Sequence, residues 1–197
     1  MIAYLKGELT QKAPTYVIME VNGVGYHVNI SLNTYSKIQT LTACKIFTHL
    51  HINEDAHTLY GFADEIERQT FLHLISISGV GPSTARMVLS AMPPEEVQQA
   101  IVNEQAVVLE KIKGIGPKTA RRIILELKDK MMKPGDLKPT AGFATFASAA
   151  PRQEALAALL ALGFSRPQAD AGLQKMLKTK PDVQTAEEMI KWTLKMM

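Results

Sequence analysis

Apolar and polar residues over the first 62 positions follow a pattern typical of short β-strands. Two strand-like runs, Tyr16–Val21 and Gly25–Ile30, flank Asn22-Gly23, a dipeptide that favours a two-residue hairpin turn. Five short strands in about sixty residues predict a small barrel, of which the five-stranded OB type is one form. An open meander is the alternative, although it would leave exposed strand edges. The three other predicted strands are Ile2–Leu9, Lys45–His51 and Thr58–Phe62.

From Asp64 onwards the spacing of apolar residues becomes helical, and the pattern occurs twice. Ala85, Val88, Leu89 and Met92 fall at positions i, i+3, i+4 and i+7, which is one face of a helix. The same spacing returns 35 residues later. So many matches at one offset indicate an internal repeat. The matched pairs are Leu74/Leu109, Ile77/Ile112, Gly79/Gly114, Gly81/Gly116, Pro82/Pro117, Thr84/Thr119, Ala85/Ala120 and Arg86/Arg121.

The remaining third of the chain divides into a linker and a small helical domain. Residues 134–150 show neither the alternation of a strand nor the apolar spacing of a helix, and they are rich in Pro, Gly, Ala, Ser and Thr. This composition predicts a flexible linker. Residues 151–197 predict three short helices of the UBA-like kind, with Gly163 ending the first and capping boxes at Ser165 and Thr185. The chain is therefore expected to be an α+β multidomain protein. Its parts are a barrel (1–63), a tandem-repeat helical domain (64–133), the linker (134–150) and the three-helix domain (151–197).

Composition narrows the functional classes. The net charge is +3, and residues 1–64 hold four basic and five acidic residues, so the chain cannot coat DNA by charge alone. No apolar run is long enough for a transmembrane helix, and the N-terminus has no apolar signal core, so we expect a cytoplasmic location without membrane contact. The single cysteine, Cys44, excludes an intramolecular disulfide and a cysteine-rich zinc site, and its strand-like flanks favour a role as a small, buried hydrophobic side chain.

The candidate chemistry lies in the two repeat copies, Ser78–Ala85 and Lys113–Ala120. In each, two glycines allow a tight turn and a close approach of backbone to ligand, and a proline starts the following helix. The free amides of a helical first turn attract an anion such as a phosphate. Lys118, with Arg121 and Arg122 one turn further on, adds positive charge to the second copy. The spacing excludes a Walker A loop, and no Rossmann unit surrounds the glycines.

These two copies resemble the helix-hairpin-helix motif, which holds DNA by its phosphates and is therefore insensitive to base sequence. The chain as a whole resembles the RuvA family of Holliday-junction-binding subunits. The resemblance extends over all three segments in the same order. The residues that carry it, besides the hairpins and the linker, are Val21–Tyr26, Glu54-Asp55-Ala56, Leu59–Phe62 and Ala161–Phe164.

The resemblance implies a non-catalytic scaffold without metal or cofactor. Four copies would bind a four-way DNA junction with fourfold symmetry, as one tetramer or as two stacked tetramers. The hexameric ATPase RuvB would be recruited for branch migration in recombination and repair, and contact with the junction endonuclease RuvC is left open. Ser83 stands where the family usually has a basic residue, which predicts either a weaker first hairpin or one that relies on the hydroxyl and the amides alone. The expected phosphate contacts are Gly79, Val80, Gly81, Ser83, Thr84, Gly114, Ile115, Gly116, Lys118, Thr119 and Arg122.

Two further sites follow from the resemblance. Glu54 and Asp55 match an acidic pin that would repel phosphates and keep separated strands apart at the crossover, whereas taken alone the pair predicts an ordinary solvated turn. Leu159, Leu162 and Phe164 match the surface that docks RuvB, although some of them must fill the core of the small domain.

Two other classes of protein compete with this interpretation. Many DNA glycosylases carry a helix-hairpin-helix, but they need a catalytic carboxylate in a base-binding pocket, and Asp129 beyond the second hairpin is predicted to be a surface charge. A divalent metal site is the second alternative, since histidines and carboxylates lie close together in the sequence. The residues in question are His49, His51, Glu54, Asp55 and His57.

Overall fold

The structure is a computed structural model, and it describes residues 2–132, 151–180, 183 and 185–196. These residues fall into two compact units, one within 1–140 and the other within 141–197. The predicted linker, 134–150, lies outside the described residues.

The N-terminal part of the first unit is a closed five-stranded barrel. Its strands run in the order β1-β2-β3-β5-β4, with β3 and β5 parallel and the other neighbours antiparallel. Closure confirms the predicted barrel and excludes the open meander. The predicted Asn22-Gly23 turn is also present, with positive φ angles of 51° and 81°. The elements are β1 (Tyr4–Ala13), β2 (Tyr16–Val21), β3 (Val24–Ile30), α1 (Leu32–Ile38), β4 (Ala43–Ile52) and β5 (His57–Phe62).

Successive side chains of a strand point to opposite faces of the sheet, so every second side chain points into the barrel and fills it. Val17 and Met19 on β2, Val28 on β3 and Ile46 on β4 are fully buried. The short helix α1 was not predicted, and its buried Ile38 packs against the same core. Strand β1 extends four residues beyond the predicted Leu9, because backbone pairing with β2 continues where apolar alternation has ended.

The predicted helical domain contains five helices built around a single apolar core. Both copies of the repeat place a helix on either side of a glycine turn, so the repeat is a structural one as well. The helix between the copies, α4, was not part of the prediction. The elements are α2 (Glu65–Ile75), α3 (Pro82–Ala91), α4 (Pro94–Val102), α5 (Ala106–Glu110) and α6 (Pro117–Met132).

Barrel and helical domain share a well-packed boundary within the first unit. Phe71 on α2 is fully buried and lies against the rings of Tyr60 and Phe62, with centroids 5.2 and 4.9 Å away. Such close aromatic contacts bury large apolar areas and fix the orientation of the rings. The boundary therefore holds the repeat in a defined position on the barrel.

The second unit contains the three predicted helices, α7 (Pro151–Ala161), α8 (Arg166–Thr179) and α9 (Ala186–Met196). Gly163 follows α7 with a φ of +94°, as expected for a residue that ends a helix in the left-handed region. The capping box of Ser165 and Gln168 is formed at the start of α8. Within the residues that the structure describes, no helix is both long and apolar enough to span a membrane.

Candidate nucleic-acid interface

The two glycine turns have nearly the same backbone geometry. Gly79 and Gly114 adopt φ angles of +92° and +95°, a region that side chains with a Cβ rarely occupy. In both turns the residue after this glycine donates its amide to the carbonyl three residues back, at 3.0 Å. The donors are Val80 and Ile115, whose side chains are buried in the core. Each turn is therefore closed by one hydrogen bond and anchored by one aliphatic side chain.

Free amides follow each turn at the start of the next helix. The first hydrogen bond of α3 joins the Ala85 amide to the Gly81 carbonyl, and that of α6 joins Ala120 to Gly116, both at 2.9 Å. The amides that precede these bonds have no carbonyl one turn back to donate to. They belong to Ser83 and Thr84 in the first copy and to Lys118 and Thr119 in the second. Each turn is thus followed by two amides without a backbone partner at the start of a helix, a geometry that favours an anion.

Glycines at the second position of each turn leave the approach open. A Cβ built on Gly81 or on Gly116 would meet no atom within 4 Å, and both residues are exposed. Gly81 has an ordinary φ of −82°, so its backbone conformation does not require glycine. What glycine provides here is unobstructed access of a ligand to the amides behind it.

The two turns lie side by side. A Cβ on Gly114 would be 3.6 Å from the hydroxyl oxygen of Thr84, across the boundary between the copies. The Arg122 guanidinium, on the second copy, donates through Nη1 to the Ser78 carbonyl of the first turn at 3.3 Å. The structure therefore brings the predicted glycines, hydroxyl residues, Lys118 and Arg122 together on one exposed surface, which we call the hairpin surface.

The acidic pair lies in the loop between β4 and β5. Glu54 and Asp55 are both exposed, and the loop is closed by a 2.9 Å hydrogen bond from the Asn53 amide to the Ala56 carbonyl. Both carboxylates therefore project from a tight turn at one end of the barrel.

The three predicted partner-binding residues have different environments in the second unit. Leu159 is fully buried in the core, Phe164 is partly buried against it, and Leu162 is 60% exposed. Since only an exposed side chain can contact a partner without rearrangement, Leu162 is the best placed of the three.

The residues of the two alternative site types, a metal site and a glycosylase site, are also described by the structure. Among the described residues, no group of three or more His, Cys, Asp or Glu side chains could hold a metal ion. His49 packs against Phe71, and burial is the main cause that lowers the pKa of His49. Asp129 is exposed in an open groove on α6. Cys44, predicted to be buried, is half-buried beside the barrel core, and burial raises the pKa of its thiol.

Two polar residues that join the helical domain to the barrel and to α1 were not recognised in the sequence. Glu67 is fully buried between α2 and α1, and Arg86 on α3 donates to Asn29 and Thr15 of the barrel. The sequence signal for Arg86 was misleading, because its repeat counterpart Arg121 is exposed. Identical positions in a repeat can thus have different partners.

A closed barrel joined to two adjacent glycine turns, each followed by a helix with free amides, defines the class of tandem helix-hairpin-helix proteins. Residues 71–129 match the family described as "SAM-like Helix-hairpin-helix tandem". Residues 1–61 match "RuvA N terminal domain" and residues 150–197 match "RuvA, C-terminal domain". The chain belongs to the RuvA family.

Full-length relatives agree with this assignment. The chain is 49% identical over 198 residues to a protein of Cytophaga hutchinsonii, with complete coverage of both chains. It is 49% identical over 196 residues to one of Christiangramia forsetii, covering 99% of each, and 44% identical to one of Parabacteroides distasonis, with complete coverage of both chains. Each relative is named Holliday junction branch migration complex subunit RuvA.

Proposed function

We propose that this protein is the non-catalytic subunit that binds Holliday junctions, holds them open and planar, and recruits the RuvB ATPase for branch migration. The observation that carries the proposal is the pair of matching phosphate-binding turns on one surface, in a chain similar over its full length to branch migration subunits. Four copies, as one tetramer or two, would present four such surfaces to the four arms.

Contacts to phosphates alone suit this task. During branch migration the DNA must slide through the complex while its bases exchange partners, and contacts to base edges would hold it at one sequence. The hairpin surface offers backbone amides, hydroxyls and two cations, all of which recognise phosphate oxygens. ATP hydrolysis then belongs to the partner, which supplies the force.

The experiment that tests the proposal is a competition between a synthetic four-way junction and duplex DNA of equal length. It is done by gel shift at physiological salt with metal chelated. We expect strong preference for the junction and no cleavage products. Equal affinity for both DNAs would contradict the junction assignment, and cleaved or base-excised DNA would contradict the non-catalytic role.

Glu54 and Asp55 would act as the pin at the crossover. Their position at an exposed loop tip lets the two carboxylates meet DNA without moving the barrel, and negative charges repel phosphates. Removing both charges with Glu54→Gln/Asp55→Asn should raise junction affinity and alter its salt dependence. Asp129→Asn, which removes an exposed carboxylate elsewhere, is the control. Unchanged affinity together with an unchanged salt slope would refute the repulsive role.

Recruitment of RuvB would use the second unit. Exposed Leu162, together with the partly buried Phe164, offers an apolar contact, and exposed apolar side chains close together often mark protein interfaces.

A further inference from the structure

Positive charge is distributed very unevenly between the two hairpins. From Lys111 to Glu126 the second copy contains five Lys and Arg residues, whereas the corresponding stretch of the first copy, Ser76–Ala91, contains Arg86 alone. The counterparts of Lys118 and Arg122 in the first copy are Ser83 and Met87. The two turns thus share a backbone geometry but differ in electrostatics.

Arg86 does not compensate for this difference. Its Nη1 atom donates to the side-chain oxygen of Asn29 at 2.9 Å and to the Thr15 carbonyl at 3.2 Å, both on the barrel. A guanidinium bound in this way is directed at the barrel rather than at the hairpin surface. The first copy therefore has no basic side chain of its own at the turn.

Among the residues that the structure describes, a basic side chain hydrogen-bonded to the first turn comes from the second copy. Arg122 lies on α6, yet its Nη1 atom is 3.3 Å from the Ser78 carbonyl, the residue before Gly79. Its Nε atom pairs with Glu126 at 3.3 Å, and the side chain remains 48% exposed. These bonds use two of the five guanidinium N–H groups, so the charge is both held in place and open to solvent.

We propose that Arg122 supplies the positive charge for the phosphate bound at the first hairpin, while Lys118 serves the second. This inference rests on the proposed DNA-binding function and assigns the cations within it. A phosphate at the amides of Ser83 and Thr84 would lie within roughly one Debye length of a guanidinium held at Ser78. The proposal explains how a first turn with serine at position 83 binds DNA alongside the second.

Rescue by a charge added to the first hairpin tests the assignment. Arg122→Met and Lys118→Ser each convert one residue to its counterpart in the first copy, and each removes one positive charge. Ser83→Lys restores one charge, so the two double variants with Ser83→Lys have the net charge of the wild type. Dissociation constants for a four-way junction are measured by fluorescence anisotropy at several NaCl concentrations.

We expect each single loss to weaken binding by about three- to tenfold per contacted arm and to lower the salt slope by about 0.9 per lost contact. Ser83→Lys should return Arg122→Met to within about twofold of the wild type. It should leave Lys118→Ser clearly weaker, because the second site still lacks its cation. Lys130→Ser, which removes an exposed charge near the end of α6, should change affinity little.

Equal recovery of junction affinity by both double variants would overturn the assignment, because the net charge of the protein, and not the position of each cation, would then determine the affinity. Unchanged affinity of Arg122→Met would overturn it as well. Arg122→Lys keeps the charge and should bind within about threefold of the wild type, and urea unfolding checks that Arg122→Met remains folded. Failure of the proposed junction-binding function would give a different result. Wild-type protein that binds junction and duplex DNA equally well would contradict that function, while the effect of Ser83→Lys on Arg122→Met could still be measured with duplex DNA.

Discussion

The Oε2 atom of Glu67 accepts a hydrogen bond of 2.6 Å from the hydroxyl of Thr34 in the buried boundary between barrel and helical domain. The other carboxylate oxygen accepts from the Ser31 hydroxyl, and the Thr34 oxygen in turn accepts from the Ala63 amide at 3.0 Å. One carboxylate on α2 thus joins the start of α1 to the segment after β5. Breaking one side of so buried a network leaves polar atoms without partners.

Protonation of Glu67 should make stability depend on pH. Burial raises the pKa of Glu67 above its ordinary 4.5, although the hydrogen bonds from Ser31 and Thr34 oppose the shift. The folded state therefore binds the proton more tightly than the unfolded state, so this group's contribution to the free energy of unfolding falls as pH rises from 4.5 through the raised pKa. In urea unfolding across this range, Glu67→Gln should lose that slope.

The exposed Glu96 on α4 provides the control for this measurement. Glu96→Gln should follow the wild-type dependence of unfolding free energy on pH. A Glu67→Gln variant with the same slope as the wild type would show that Glu67 titrates alike in both states.

Replacing each of the two glycines of the first turn by alanine should distinguish an effect on stability from an effect on DNA binding. Gly79→Ala forces a Cβ into a φ of +92° and should cost about 1–2 kcal/mol in unfolding free energy. Gly81→Ala meets neither strain nor a clash and should change stability by less than about 0.5 kcal/mol. It should nevertheless weaken junction binding, because a methyl group then stands before the amides. Undiminished junction affinity of folded Gly81→Ala would count against amide contacts at this turn.

Gly7 in β1 should tolerate no side chain. A Cβ there would lie 2.0 Å from the backbone oxygen of Glu20 on the paired strand, and backbone cannot yield as a flexible side chain can. Gly7→Ala should therefore destabilise the barrel by about 1–3 kcal/mol or more in thermal or urea unfolding. Gly25→Ala, whose Cβ would meet only the Ile18 side chain at 3.4 Å, should be nearly neutral. Equal stability of the two variants would contradict the barrel geometry.

Arg86 should matter for stability and not for DNA affinity. Arg86→Gln removes hydrogen bonds to Asn29 and Thr15 and should cost about 1–2 kcal/mol in unfolding free energy. Its repeat counterpart Arg121 is exposed, so Arg121→Gln should cost little stability. Junction affinity of Arg86→Gln, measured where the variant is folded, should remain within about twofold of the wild type. A tenfold loss would place Arg86 at the DNA instead.

Two leucines of the second unit should have opposite effects. Leu159→Ala empties a fully buried position and should destabilise that unit by about 2–5 kcal/mol, as reported by the fluorescence of Trp192, the chain's single tryptophan. Leu162→Asp changes an exposed side chain and should leave the same unfolding curve unchanged while weakening RuvB binding. Normal RuvB binding by Leu162→Asp would move the contact to another surface.

Local patterns in the sequence were sufficient for most of the architecture. Asn22-Gly23 predicted its hairpin turn, Gly163 its helix end, and the 35-residue repeat predicted two equivalent turns at Gly79 and Gly114. Each of these depends on backbone conformation within a few residues, which residue type controls directly. Helix α1 was missed because seven residues give too few turns for a helical period to be recognised.

By itself, the sequence determined the strands, the repeat, the glycine turns and the surplus of positive charge in the second hairpin. Only the tertiary structure decided which polar side chain meets which partner. Arg86 reaches Asn29 across 57 positions, Glu67 meets Thr34 across 33, and Arg122 reaches Ser78 across 44. No local pattern encodes such contacts, because they form when separately folded elements pack together. For that reason Arg86 and Arg121, identical in the repeat, lie in different surroundings in the folded protein.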